Sequence, residues 1–198
     1  MGQIMEYECK NMLSKEQFES ICLFFKLNRD SFSCQINDYF DTPTLGLRAQ
    51  QAALRIRHAD GKHDLTLKQR QGCGVIETHQ WLTDAECSDM LRFGTVPSGE
   101  VEQAVTKLSV NVDTLVALGR LKTERCQFPY VNGELFLDHS FYLKQEDYEI
   151  EFERPDAEAS TTAFADLLHR FAIGRRPAEN KIARLFAALQ KKPKQTDM

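Results

Sequence analysis

Four short segments far apart in the chain alternate, residue by residue, between a charged group and a group able to pack. They are Glu6-Tyr7-Glu8-Cys9-Lys10, Leu54-Arg55-Ile56-Arg57, Asp64-Leu65-Thr66-Leu67-Lys68 and Asp147-Tyr148-Glu149-Ile150-Glu151-Phe152-Glu153. Successive side chains of a strand point to opposite faces, so each segment, if extended, separates its charges from its apolar groups. The same period predicts further strands over Gln35 to Asp41, Ala53 to His58, His63 to Arg70, Val75 to Leu82, Lys122 to Tyr130, Glu134 to Ser140 and Asp147 to Arg154. Asp60-Gly61, Gly72-Cys73-Gly74 and Asn132-Gly133 supply the turn chemistry of antiparallel hairpins. Spacings of three and four predict helices: Ser14 caps one through about Asn28, Thr83 caps Asp84 to Phe93, and Ser98 precedes Val101 to Leu108. Asn111 opens another over Val112 to Leu118 before Gly119, and two more close the chain at Thr161 to Ala172 and Ala178 to Leu189.

These elements predict an α+β domain whose antiparallel sheet is curled or closed and clothed by helices. One face of the sheet would carry Leu54, Ile56, Leu65, Leu67, Ile76, Leu135, Leu137, Tyr148, Ile150 and Phe152. That face must lie under the helices, since burying one Leu or Ile is worth roughly 1.5 to 3 kcal/mol. The other would carry Glu6, Glu8, Lys10, Arg55, Arg57, Asp64, Lys68, Arg70, Glu77, His79, Arg125, Asp138, Asp147, Glu149, Glu151 and Glu153. It is either the wet side of a half-covered sheet or the lining of a closed channel. The residue types favour the channel. Two like charges ~4 Å apart at an effective dielectric near 20 repel by on the order of 4 kcal/mol, and Arg-x-Arg and Glu-x-Glu runs make sense around a ligand of opposite sign. Basic strands can grip phosphates, and acidic ones can hold divalent cations.

Composition narrows the class. The chain has 198 residues, 42% of them hydrophobic and 27% charged, with 13 Phe, which fits one globular domain over residues 1–190 followed by a polar tail at 191–198. A formal charge of -4 argues against general attraction to nucleic acid or to an anionic membrane. Six cysteines at 9, 22, 34, 73, 87 and 126 form no C-x-x-C pair, which argues against a zinc site and a disulfide scaffold. No run is long and apolar enough to span a bilayer, and the N-terminal residues lack a signal pattern; the expected compartment is the cytoplasm. The remaining histidines, His58, His63, His139 and His169, show no H-E-x-x-H spacing.

Glu6-x-Glu8-x-Lys10 alone is too common by chance to carry weight. Its company is specific. Together with Tyr39-Phe40-Asp41-Thr42, Leu54-Arg55-Ile56-Arg57, Leu65-Thr66-Leu67-Lys68, Arg125, Leu137-Asp138, Asp147-Tyr148-Glu149-Ile150-Glu151 and Asn180-Lys181, it resembles the ordered motifs of the CYTH superfamily, also called triphosphate tunnel metalloenzymes. The resemblance spans about residues 4 to 186 and points toward the thiamine-triphosphatase-like bacterial members. It implies an eight-stranded antiparallel β-barrel, open at both ends, with a charged interior and helices outside.

The resemblance further implies that Glu6, Glu8, Glu77, Asp138, Glu149 and Glu151 hold Mg²⁺ or Mn²⁺. Lys10, Arg55, Arg57, Lys68, Arg125 and Lys181 would clamp a phosphate chain, with Lys10, Glu149 and Glu151 placed for catalysis. His79 stands where relatives often carry an acid. Lys122 and Arg184 are equally well explained as site residues or as surface charges. Cys9, by parity, belongs to the packed face. The expected activity is metal-dependent hydrolysis of a triphosphate, with inorganic tripolyphosphate ahead of thiamine triphosphate because no aromatic cluster in the motif strands recruits a heterocycle. An adenylate cyclase forming cyclic AMP and a non-catalytic module binding polyphosphate or a nucleoside triphosphate are the alternatives. Family analogy alone suggests a homodimer.

Overall fold

A computed structural model describes residues 4–72, 74–131, 133–154 and 157–190, with side chains described for all of these except 4–6 and 157–160. The expected tail at 191–198 and the turn residues Cys73 and Asn132 lie outside the described residues.

Eight antiparallel strands close into a barrel. They are β1 (Ile4–Leu13), β2 (Ser33–Asp41), β3 (Ala52–Ala59), β4 (Lys62–Gln71), β5 (Gly74–Leu82), β6 (Val116–Tyr130), β7 (Gly133–Tyr142) and β8 (Gln145–Arg154). Around the ring the order is β1-β5-β4-β3-β2-β6-β7-β8, and β8 returns to β1 by pairing Tyr7 through Leu13 with Arg154 through Tyr148. Consecutive strands make tight hairpins wherever the sequence carried a turn signal. At the β3–β4 turn, Asp60 and Gly61 both take positive φ, 50° and 69°, the conformation that lets a two-residue loop follow the right-handed twist of its strands.

Helices α1 (Lys15–Phe24), α2 (Gly46–Ala49), α3 (Asp84–Phe93), α4 (Glu100–Lys107), α5 (Ala157–Arg170) and α6 (Lys181–Gln190) complete the fold. Caps explain several boundaries. Ser14 and Gln17 form a reciprocal capping box at α1, and Thr83 and Glu86 form another at α3. Helix α3 stops at Gly94, whose φ of 74° suits glycine and whose missing Cβ would meet the Leu115 carbonyl.

Four expected helices differ, among them α5, which runs over Ala157–Arg170 rather than Thr161 to Ala172. The first ends at Phe24 rather than Asn28, because Lys26 turns left-handed and Leu27 N–H donates to the Cys22 carbonyl in a Schellman arrangement. The segment 112–118 forms only a 3₁₀ turn at Val112–Thr114 before β6 begins at Val116. There Leu115 drops into the core and the β2 edge captures the chain, pairing Asp41 with Val116 and Phe40 with Ala117, so tertiary pairing overrides the local helical spacing. The last helix starts at Lys181, not Ala178, since the preceding chain is tied to β1: Met12 N–H donates to the Arg176 carbonyl, and Pro177 bridges Asn11.

The barrel is inverted relative to an ordinary globular sheet. Leu54, Ile56, Leu65 and Leu67 point outward under α3 and α4, packing with Cys87, Met90, Val101 and Val105. On the opposite side Leu135, Leu137, Ile150 and Phe152 pack with Ile21 of α1 and Phe164 and Leu167 of α5. Cys9 packs against this second cluster, as parity predicts. The charges are left to face one another inside.

Candidate functional site: a charged cavity inside the barrel

Alternation places Asn37 and Tyr39 of β2, Arg55 and Arg57 of β3, Lys68 and Arg70 of β4, Thr123 and Arg125 of β6, Glu151 and Glu153 of β8, and Glu8 and Lys10 of β1 around one cavity of about 560 Å³. Ring order sorts the charges. Strands β4, β3 and β6 contribute the basic wall, and β8 with Glu8 of β1 the acidic one, backed by Asp138 of β7. Helix α6 adds Lys181, Ile182 and Phe186 to the lining, and Asn180 just before it a fourth group.

The basic wall is under electrostatic stress. Arg57 is pushed down to about 10, first by burial and then by the like charges of Arg55 and Arg125. Arg55 is 9% exposed and its buried Nε has no hydrogen-bond partner. Leaving a buried guanidinium N–H unpaired costs on the order of 1 to 3 kcal/mol, so this wall is built for an anion that supplies acceptors.

On the acidic wall, Arg125 donates to both oxygens of Asp138 at 2.7 and 2.6 Å and reaches Glu151 at 2.6 Å. Lys181 Nζ stands 2.7 Å from each of Asp138, Glu149 and Glu151. Burial works against the charge on Glu151, but Lys181, Arg125 and Lys10 outweigh it and hold the carboxyl well below its ordinary range. Burial likewise opposes the charge on Lys10, and Glu151, Glu8 and Glu149 prevail to raise it. Glu153 is pushed up to about 6 by burial and by Glu151.

Glu8 and Lys10 pair directly at 2.6 Å, and Lys68 pairs with Glu77. Of the remaining residues singled out by sequence, Glu77, Asp138 and Glu149 are buried behind these ion pairs rather than at the cavity surface. Glu6 lies on β1 opposite Val75, and its side chain is outside the description. His79 bridges Asp64 at 3.0 Å and Glu77 at 3.2 Å and is raised to about 9 by those two hydrogen bonds, so it fills the wall as a cation. Lys122 is directed away from the cavity and pairs with Glu124, whereas Arg184 reaches Glu149 at 2.8 Å and Asp147 at 3.0 Å.

Arg48 was not foreseen. It lines the cavity from the single turn of α2, which Asp41 organises by accepting from the backbone N–H groups of Thr42, Leu47 and Arg48 at 2.7, 2.8 and 3.0 Å. Its guanidinium lies 5.1 Å from the ring of Phe186. A four-residue helix has no periodicity to read, and the only signal was the turn-forming Asp41-Thr42-Pro43-Thr44.

The acidic residues fit a hard divalent cation. Carboxylate oxygens of Glu8, Glu151 and Glu153 lie within 4.8 Å of one another, as do those of Asp138, Glu149 and Glu151. Glu149 Oε1 is buried without a hydrogen-bond partner, and a spare carboxylate oxygen on a member of such a cluster suits Mg²⁺ or Mn²⁺.

The family model described as CYTH domain matches residues 5–186. A Bacillus subtilis (strain 168) protein named "Putative triphosphatase YjbK" is 42% identical over 191 residues, which cover 96% of this chain and 99% of that one. The crystal structure of a "putative adenylate cyclase" from Bacillus halodurans has a TM-score of 0.91 at 41% identity, covering 94% of this chain and 100% of the other. A Hippeastrum "putative adenylyl cyclase", described as having a dominant triphosphatase activity, shares the fold with a TM-score of 0.74 at 22% identity, covering 92% and 95% of the two chains. No helix among the described residues is long and apolar enough to cross a membrane.

Proposed function

The chain belongs to the CYTH domain family, and from that premise we propose that it hydrolyses a triphosphate inside the barrel in a reaction dependent on Mg²⁺ or Mn²⁺. The observation that carries this reading is the facing of two incomplete walls. Arg57 is depressed by burial and by its basic neighbours and Arg55 Nε lacks an acceptor, while behind the acidic wall Glu149 Oε1 lacks a donor. A polyanion together with a divalent cation satisfies both.

Lys10, Arg48, Arg55, Arg57, Lys68 and Arg125 would bind and stretch the phosphate chain, with arginines gripping two oxygens at once and lysines acting as mobile charges. Glu8, Asp138, Glu149, Glu151 and Glu153 would hold the cation, which supplies charge neutralisation and polarises phosphate oxygens. Glu149 or Glu151 orients water for attack on the terminal phosphorus. The new P–O bond forms as the anhydride P–O bond breaks, the attacking water gives up its protons to the departing orthophosphate and to solvent, and the leaving diphosphate is received by Arg and Lys side chains. Phosphoryl transfer asks mainly for positioning and charge stabilisation, so no Ser or Cys nucleophile is needed.

Inorganic tripolyphosphate is the first substrate in this proposal and thiamine triphosphate the second. The apolar groups Leu118, Ile182 and Phe186, with Tyr39, line part of the same cavity and favour keeping a triphosphate that bears an organic ring. Adenylate cyclisation is the second reading, carried by that apolar lining together with the name of the Bacillus halodurans relative. Product analysis with tripolyphosphate, thiamine triphosphate and ATP, each with Mg²⁺, Mn²⁺ or chelator, tests the set. Orthophosphate released only with metal supports hydrolysis, and cyclic nucleotide with diphosphate from ATP selects cyclisation. Binding without turnover of any of the three defeats both.

A further inference from the structure

We propose that the outer face of the barrel holds a second, chemically different metal site, in which His58 of β3, His63 of β4 and Cys87 of α3 bind a zinc-class ion. His58 and His63 are cross-strand partners one step from the Asp60-Gly61 turn, and both project to the outside, where α3 packs. Their Nδ1 atoms lie 2.8 Å apart, and one ring nitrogen from each and Cys87 Sγ all fall within 4.8 Å of one another.

The outer nitrogens are already engaged. His58 Nε2 meets Asp38 Oδ2 at 2.8 Å, and His63 Nε2 meets Asp84 Oδ1 at 3.2 Å. A carboxylate only accepts, so each ring donates its Nε2 proton outward, and in the neutral tautomers both Nδ1 lone pairs then face one another. Two lone pairs at that distance need a positive centre between them, either a shared proton or a metal. Asp38 is itself held by Arg120 through two contacts at 2.8 Å. Carboxylates that fix the ring and tautomer of a ligating histidine are the usual supporting shell of a zinc site.

Two imidazoles and a thiolate are borderline-to-soft donors, which select zinc or its neighbours over the hard cations suited to the lumen. Around a tetrahedral zinc, ligand atoms stand roughly 3.3 to 3.8 Å apart, so the rings must separate by about half an ångström. A surface pocket that also exposes Ser88 leaves room for water as the fourth ligand. Binding sends the proton of the Cys87 thiol, and any proton held between the two Nδ1 atoms, to solvent. The ion would tie the β3–β4 hairpin, whose inner face carries Arg55 and Arg57, to α3. No Cys or His spacing announces the site, because its ligands come from three elements.

The test uses the full chain stripped with chelator and titrated with Zn²⁺ and with Co²⁺, whose thiolate charge-transfer absorption reports sulfur ligation. The expected result is one zinc per chain at this site, a near-ultraviolet cobalt band, and a zinc-dependent rise in melting temperature, all unchanged in Glu149→Gln. Cys87→Ser should lose the band, and His63→Gln, at a half-buried position, should bind zinc at least tenfold more weakly while keeping its circular dichroism. Absence of the cobalt band in folded wild-type protein overturns the proposal. So does a band that survives Cys87→Ser, or zinc binding that survives His63→Gln and vanishes in Glu149→Gln.

Discussion

Lys181 Nζ and Glu149 Oε2 lie 2.7 Å apart although 32 residues separate them in the chain. The ammonium sits among Asp138, Glu149 and Glu151, the same three carboxylates that are close enough to hold a cation. One unit charge at ~4 Å and an effective dielectric near 20 is worth on the order of 4 kcal/mol, so Lys181 and a metal compete unless the lysine swings toward substrate. Lys181→Met should therefore tighten Mn²⁺ binding without substrate by about tenfold or more. The same change should lower triphosphate turnover by roughly 100-fold. Calorimetric Mn²⁺ titration and a phosphate-release assay check the two halves, and unchanged Mn²⁺ affinity would refute the competition.

Arg57 places function against stability. Burial and repulsion from Arg55 and Arg125 disfavour its charge. Arg57→Gln should raise the melting temperature by a few degrees while reducing turnover about 100-fold, chiefly through a weaker grip on substrate. A lowered melting temperature would mean that the arginine stabilises the fold.

His79 predicts a pH dependence. Its folded value of about 9 lies above the ordinary 6.5 because Asp64 and Glu77 accept from it. A raised value contributes stability that is complete below pH 6.5 and lost as pH climbs through 9. Partial solvent exposure reduces the effect to on the order of 1 to 2 kcal/mol. Denaturation midpoints measured between pH 6 and 10 should fall across that window, and His79→Gln should flatten the fall.

Asp41 holds the turn that presents Arg48. With three backbone N–H groups donating to its buried carboxylate, Asp41→Ala leaves them unpaired and should cost about 3 kcal/mol in urea unfolding. Arg48→Ala should leave stability nearly unchanged and weaken substrate binding. If the two variants lose the same stability, Arg48 belongs to the fold rather than to the cavity.

The barrel was legible because period two runs through nearly every strand, and alternating Arg, Lys and Glu placed the charges on one face. That parity alone puts Arg55 with Arg57, and Glu149 with Glu151, on the inner face. It failed where neighbours decide. Val112 to Leu118 has helical spacing, yet the β2 edge captures it from Val116. Arg48 rides on a single turn held by one distant carboxylate, and His58, His63 and Cys87 meet only because a hairpin and a helix pack together. Local pattern records which face a residue takes; it does not record which other segment arrives there.

The seam between β1 and β8 joins residues near 10 to residues near 150. During synthesis the first strand therefore emerges long before its partner exists, and Glu8 and Lys10 wait without Glu151 and Glu153 until the eighth strand leaves the ribosome. Contacts of such long sequence separation slow folding, and the unpaired border of β1 is the part of a nascent chain most exposed to wrong partners. Once the seam zips, among the described strands no flank is left for another chain to extend.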